Sequence, residues 1–87
     1  MEIYLSSKYK KSHRKVVKKN PHLQSKIKKQ LQILLGDPRH PSLSLHKLEG
    51  KLYTSWSIKI QKNVRLTFTY IKDGILLIDI GTHDEVY

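Results

Sequence analysis

The spacing of apolar residues changes midway along the chain. Tyr9, His13, Val16 and Val17 recur at helical intervals over residues 8–19 and draw a thin apolar stripe on a basic cylinder. Leu23, Ile27, Leu31, Leu34 and Leu35 keep the 3.6-residue period more fully and predict a second helix over residues 21–35. Asn20-Pro21 reads as an N-cap followed by proline at the first helical position, Gly36 as the residue past the helix end, and Pro38 as the stop. The break between the two stripes predicts a helical hairpin. A short strand, Glu2–Leu5, precedes it, and a proline-containing connector over residues 37–42 follows.

Beyond Gly50 the period becomes two. Leu52, Thr54, Trp56, Ile58 and Ile60 share one face, as do Val64, Leu66, Phe68 and Tyr70, and then Leu76, Ile78 and Ile80. Three successive one-sided strands predict an antiparallel meander backed by the helices. The fold class is therefore α+β, a single domain over residues 1–87: short strand, helical hairpin, three-stranded meander.

Keeping the apolar faces on one side sets the register, because a one-residue slip turns them outward. A two-residue Asp73-Gly74 turn would oppose Phe68 and Asp79. A three-residue Lys72-Asp73-Gly74 loop, with Gly74 left-handed, opposes Phe68 and Ile78 instead. The same reasoning gives a Gln61-Lys62-Asn63 loop with Asn63 left-handed and Ile58 opposite Leu66. On the outer face Lys59 then faces Arg65, Ser57 faces Thr67, Thr67 faces Asp79, and Arg65 faces Gly81. Two cations opposed across a ladder repel. Either an anion lies between Lys59 and Arg65, or the long side chains splay into water.

Charge sharpens this picture. Of 17 Lys and Arg and 7 acids, giving a net charge of +10, ten basic residues and only Glu2 fall within residues 1–35. The hairpin is a polycation suited to nucleic acid or an acidic protein, or else simply a solvated face. With no cysteine there is no disulfide framework, thiolate metal site or cysteine nucleophile. The longest apolar run, four residues at 75–78, cannot span a bilayer, and the N-terminus has no signal-peptide pattern, so a cytoplasmic protein is expected.

The five histidines show no metal-ligand spacing, and neither a phosphate-binding glycine loop nor a nucleophile elbow is present. No metal or other cofactor is expected. What remains is metal-free phosphate chemistry. Attack of an RNA 2′-OH on its own phosphodiester needs a base, an acid and cations for the charged transition state. Histidine suits the first two roles and the forked arginine the third. The candidates are Arg65 and Lys59 on one sheet face, His46 before the sheet, His83 just past the last strand, and Tyr87 four residues further on.

His46-Lys47-Leu48-Glu49-Gly50, Val64-Arg65-Leu66-Thr67-Phe68-Thr69-Tyr70 and Ile80-Gly81-Thr82-His83-Asp84-Glu85-Val86-Tyr87 occur in that order. This ordered set resembles the RelE/ParE superfamily of type II toxin–antitoxin toxins over nearly the whole chain, and the closing Gly-Thr-His-x-x-x-aromatic is most similar to the YafQ group. The resemblance implies catalytic roles for His83, Tyr87 and His46, and contact of Arg65 with the scissile phosphate. It implies a ribosome-dependent mRNA endoribonuclease, held by a cognate antitoxin and acting on ribosome-bound mRNA. Lys59, Lys47, Lys18, Lys19, Lys28 and Lys29 are the candidate RNA-binding cations.

The chain also departs from its relatives. The YafQ group tends to carry arginine four residues before the Gly-Thr-His histidine, where this chain has Asp79. At about 13 Å of extended strand from His83, Asp79 is expected to tether Thr67 rather than orient the histidine. Two other readings stay open: a ParE-like gyrase inhibitor sharing the fold, and a catalytically inactive module that binds RNA or antitoxin.

Overall fold

Ser6 ends one element and starts the next. Its backbone N–H bonds the Leu77 carbonyl at 3.0 Å, extending the strand pairing. Its Oγ accepts the Tyr9 N–H at 3.0 Å, capping a helix. The computed structural model describes residues 1–48 and 54–82. Within them the order is β1 (Glu2–Leu5), α1 (Ser7–Lys19), α2 (Leu23–Gly36), a 3-10 turn (Pro41–Leu43), β2 (His46–Leu48), β3 (Ser55–Gln61), β4 (Val64–Ile71) and β5 (Gly74–Gly81). The strands form one sheet in the order β1-β5-β4-β3-β2, with β1 parallel to β5 and the other pairs antiparallel.

The expected strand, hairpin and meander are all present, and the meander gains an edge. His46, expected in a connector, lies on β2 opposite Ser57. Both helices cover one side of the sheet, α1 over β5 and α2 over β3. Tyr9, Leu23, Ile27 and Leu34 meet Ile58, Leu66, Phe68, Ile75, Leu77 and Ile80 there in a single buried cluster. Leu31 is only partly buried and Leu35 is exposed.

Asn20 does not cap α2. Its N–H closes α1 on the Val16 carbonyl, while its own carbonyl accepts the Leu23 N–H. Pro21 and His22 thus form a turn, and α2 begins at Leu23. Gly36 is the last helical residue, and Asp37 provides the closing N–H to Ile33.

The first meander turn follows expectation where it matters. Asn63 is left-handed at φ 70°, and a register shift between Lys59 and Gln61 leaves Ile58 opposite Leu66 and Lys59 opposite Arg65. The second does not. Lys72 and Asp73 alone make the turn, Ile71 faces Gly74, and Phe68 faces Leu77 rather than Ile78. A bulge between Thr67 and Phe68 absorbs the difference by leaving Ile78 as the extra residue of β5. The Ile78 carbonyl is taken by Ser6 Oγ at 2.9 Å. The buried face of β5 is therefore Ile75, Leu77 and Ile80, not Leu76, Ile78 and Ile80. Gly74 serves a close approach rather than a left-handed turn. It pairs with Glu2, and a Cβ there would collide with the Glu2 carbonyl.

Candidate functional site

On the side of the sheet away from the helices, antiparallel pairing lays residues out in rows. His46, Ser57, Thr67 and Asp79 occupy one row, and Lys59, Arg65 and Gly81 the next. Since alternate residues share a face, His46, Ser57, Lys59, Arg65 and Thr67 project to the same side. Ser57, Thr67 and Asp79 are buried, Arg65 is half-buried, and Lys59 and His46 are exposed. Ser57 and Thr67 thus form a polar, shielded stretch, with His46 accessible at one end and Lys59 and Arg65 in the row beside it.

Arg65 is held in place. Its Nε donates to Ser57 Oγ at 3.1 Å, and Nη2 donates to the Ser44 carbonyl at 2.7 Å. Ser44 turns the chain with a left-handed φ of 45°, an uncommon conformation for a residue with a side chain. These two bonds use two of the five guanidinium donors and draw the group across β3 toward β2. Arg65 therefore does not splay into water away from Lys59. The row behind it is also fixed, because Gln30, buried on α2, donates from Nε2 to the carbonyls of Lys59 at 2.8 Å and Ser42 at 3.1 Å.

The Asp79 carboxylate does not engage the Thr67 hydroxyl. Oδ1 accepts the Ile80 N–H at 2.9 Å, and Oδ2 lies 3.4 Å from Lys8 Nζ. The Thr67 hydroxyl instead reaches the Asp79 backbone carbonyl, at 3.4 Å.

The structure thus brings together Arg65, Lys59 and His46. Lys47 pairs with Trp56 on β3 and falls on the opposite side of β2 from His46. Lys18, Lys19, Lys28 and Lys29 are exposed on the helices but do not form one patch. Lys19 lines a cavity beside Gly81 and Thr82, whereas Lys28 lines a groove between α1 and α2. That groove, about 540 Å³, has an apolar floor that includes Leu5, Tyr9, Ile27 and Leu77. Burial there pushes the Tyr9 phenol up to about 12. His83 and Tyr87 lie outside the described residues, as does the stretch 49–53.

Sequence reasoning missed Ser57 and Ser44, which hold the arginine, and Gln30, which fixes the neighbouring strand β3 at Lys59. Only Ser57 carried a signal, as a small polar residue directly between two predicted site strands. Among the described residues, no three His, Cys, Asp or Glu side chains form a group able to hold a metal ion, and no helix is long and apolar enough to cross a membrane.

Comparison with known proteins follows the same line. The family model described as "Bacterial toxin of type II toxin-antitoxin system, YafQ" matches residues 1–87. Among solved structures, YafQ from Escherichia coli BL21(DE3) superposes with a TM-score of 0.81 at 16% identity, covering 99% of this chain and 97% of that one. A metal-bound toxin from Helicobacter pylori gives 0.78 at 23% identity, over 100% and 99%. YafQ in the E. coli DinJ–YafQ toxin–antitoxin complex gives 0.80 at 18%, over 99% and 96%. At these identities the structures share the fold. A search of proteins with curated function found no match.

Proposed function

The chain belongs to the YafQ family of type II toxin–antitoxin toxins, and from that premise we propose that it is an endoribonuclease that cuts mRNA on the ribosome. The observation that carries this reading is Arg65, pinned by Ser57 and Ser44 beside Lys59 on a face that also bears His46. A guanidinium anchored on one flank is preorganised for an anion on the other, and its stabilising effect grows as charge builds on a phosphorane.

In the proposed reaction the ribose 2′-OH attacks the adjacent phosphorus and passes its proton to a base. The P–O5′ bond breaks, and an acid protonates the departing 5′-oxygen. A 2′,3′-cyclic phosphate and a 5′-OH result, with no redox change and no co-reactant. Arg65 and Lys59 neutralise the non-bridging oxygens. His46 and His83 share the acid and base roles, and Tyr87 stacks on a base or donates a proton. The lysines of the helices, Lys18, Lys19, Lys28 and Lys29, contact RNA backbone. By analogy with the E. coli complex, a separate antitoxin chain restrains the toxin in the cytoplasm.

The test is induction of the chain in cells, with mRNA 5′ ends mapped and gyrase supercoiling assayed in parallel. Cuts in phase with codons are expected, and they should vanish in the Arg65→Ala variant. Intact mRNA with loss of supercoiling would replace this reading with gyrase inhibition.

A further inference from the structure

β1 pairs with only the first half of β5. Its register runs from Glu2 opposite Gly74 to Leu5 opposite Leu77, so among the described residues no strand neighbours the outer edge of β5 beyond the bulge at Ile78. α1 runs alongside that edge. It presents Lys8, Ser12, Lys15 and Lys19, spaced by four, three and four residues, which is a single stripe on one face. Two cavities lie between stripe and strand. The first, about 310 Å³, is lined by Lys8, Ser12, Lys15, Val16, Asp79 and Ile80. The second, about 150 Å³, continues past Lys15 and Val16 to Lys19, Gly81 and Thr82. Lys15 and Val16 belong to both, so the two form one trough that reaches Gly81 and Thr82.

Charge gives the trough a direction. Among the described residues Asp79 is the one acid in its lining, and it is buried at the far end, where it pairs with Lys8. Lys15 and Lys19 are exposed, and no acid among the described residues lines the trough beside them. Their Cα atoms are about 6 Å apart along the helix axis, from four residues at about 1.5 Å each. A polyanion is thus attracted at the Gly81 end and gains little at the Asp79 end, where Lys8 and the carboxylate offset each other.

We propose that this trough is a subsite for the ribose–phosphate backbone of single-stranded RNA, with two consecutive phosphates over Lys15 and Lys19 and the strand turned away at Asp79. The proposal rests on the endoribonuclease reading for its choice of polyanion. It extends that reading from one scissile phosphate at Arg65 to a backbone track that starts beside Gly81, the residue opposite Arg65. Lys8, neutralised by Asp79, contributes little. The two cavities, about 310 and 150 Å³, are small for an A-form duplex, whose recognition uses its wide minor groove.

The experiment measures binding of a fluorescent single-stranded oligoribonucleotide, carrying a 2′-deoxy block at the cut site, to the full chain over a range of salt. Lys15→Met/Lys19→Met is compared with Lys62→Met/Lys72→Met, which removes the same charge at the two hairpin turns. Methionine retains the apolar stem and hence the packing on Val16. The trough variant is expected to weaken binding at least tenfold. It should also flatten the slope of log K against log salt by about 1.4, from two contacts at about 0.7 each. The turn variant should change neither. Asp79→Asn should tighten binding, and duplex RNA should show no difference between the two double variants. Equal losses in both double variants would overturn the trough, as would a preference for duplex, which would point to a ribosomal RNA helix as the ligand. The two readings fail separately. Codon-phased cleavage with equal slopes sinks the trough alone, while the expected slope difference without any cleavage sinks the nuclease alone.

Discussion

The two sides of β3 and β4 are buried by different means. Toward the helices, Ile58, Leu66 and Phe68 are fully buried against Tyr9, Leu23 and Ile27, and the gain is apolar area removed from water. On the other side Ser57 and Thr67 are almost as inaccessible, yet they are polar and make hydrogen bonds, Ser57 to Arg65 and Thr67 to the Asp79 carbonyl. Apolar packing tolerates exchanges of similar volume. A buried polar row does not, since each lost partner leaves a desolvated group behind. The helix side therefore sets whether the chain folds, and the polar side sets where Arg65 stands.

The contrast predicts which variants lose the fold and which lose the chemistry. Phe68→Ala is expected to cost about 3–5 kcal/mol, read as a fall in the denaturation midpoint. Activity per folded molecule should be unchanged at low temperature. Wild-type stability in this variant would mean that the aromatic cluster of Trp56, Phe68 and Tyr70 carries little of the core.

Arg65→Ala is the matching cut on the other side. Loss of a preorganised cation should lower the single-turnover cleavage rate by about 10²–10³-fold, with ribosome binding little affected. Arg65→Lys should recover only part of it, because a point charge cannot bond Ser57 and Ser44 together and still face a phosphate. Wild-type rates in a folded Arg65→Ala protein would remove the basis for placing the reaction on this face.

Tyr9 tests the helix side by pH. Its phenol is held neutral up to about 12 by burial, against 10 when exposed. A proton bound more tightly in the folded state stabilises it fully below the unfolded value and no longer as pH passes the folded one. Stability should therefore fall between about pH 10 and 12, by at most about 3 kcal/mol at 1.36 kcal/mol per unit. Tyr9→Phe should remove that part of the alkaline loss. Identical alkaline melting of the two proteins would show that Tyr9 does not ionise within the fold.

Most of the architecture was legible in the apolar period, because amphipathic stripes dictate which side of each element is buried. Four outer-face pairings followed from keeping those sides together: Lys59 with Arg65, Ser57 with Thr67, Thr67 with Asp79, and Arg65 with Gly81. What escaped was set by contacts distant in sequence. The Ile78 bulge exists where Ser6, 72 residues away, takes a strand carbonyl. Gly74 is small because Glu2 passes against it. In the site, residue types suited to phosphate chemistry pointed to Arg65, Lys59 and His46. Of the residues that hold Arg65, Ser57 was signalled only by its place among the site strands, and Ser44 not at all, because a backbone carbonyl has no sequence pattern of its own.

Ser57→Ala is the smallest of these changes and separates position from charge. The Ser57 side chain is fully buried and its hydroxyl accepts the Arg65 Nε–H, so its removal keeps every formal charge and most of the volume. Stability should drop by about 1 kcal/mol, the net worth of one such bond. The guanidinium, still tied to the Ser44 carbonyl at one nitrogen, gains freedom to swing about that tie. The cleavage rate should then fall by roughly tenfold, the equivalent of about 1.4 kcal/mol of barrier. KM should stay constant, because the substrate meets the same cations. In the Arg65→Ala background Ser57→Ala should have no further effect on rate, since there is no longer an arginine to position. If instead the two changes multiply, Ser57 acts on the reaction by a route other than Arg65, and the buried polar row is a packing feature rather than the mount of a catalytic cation.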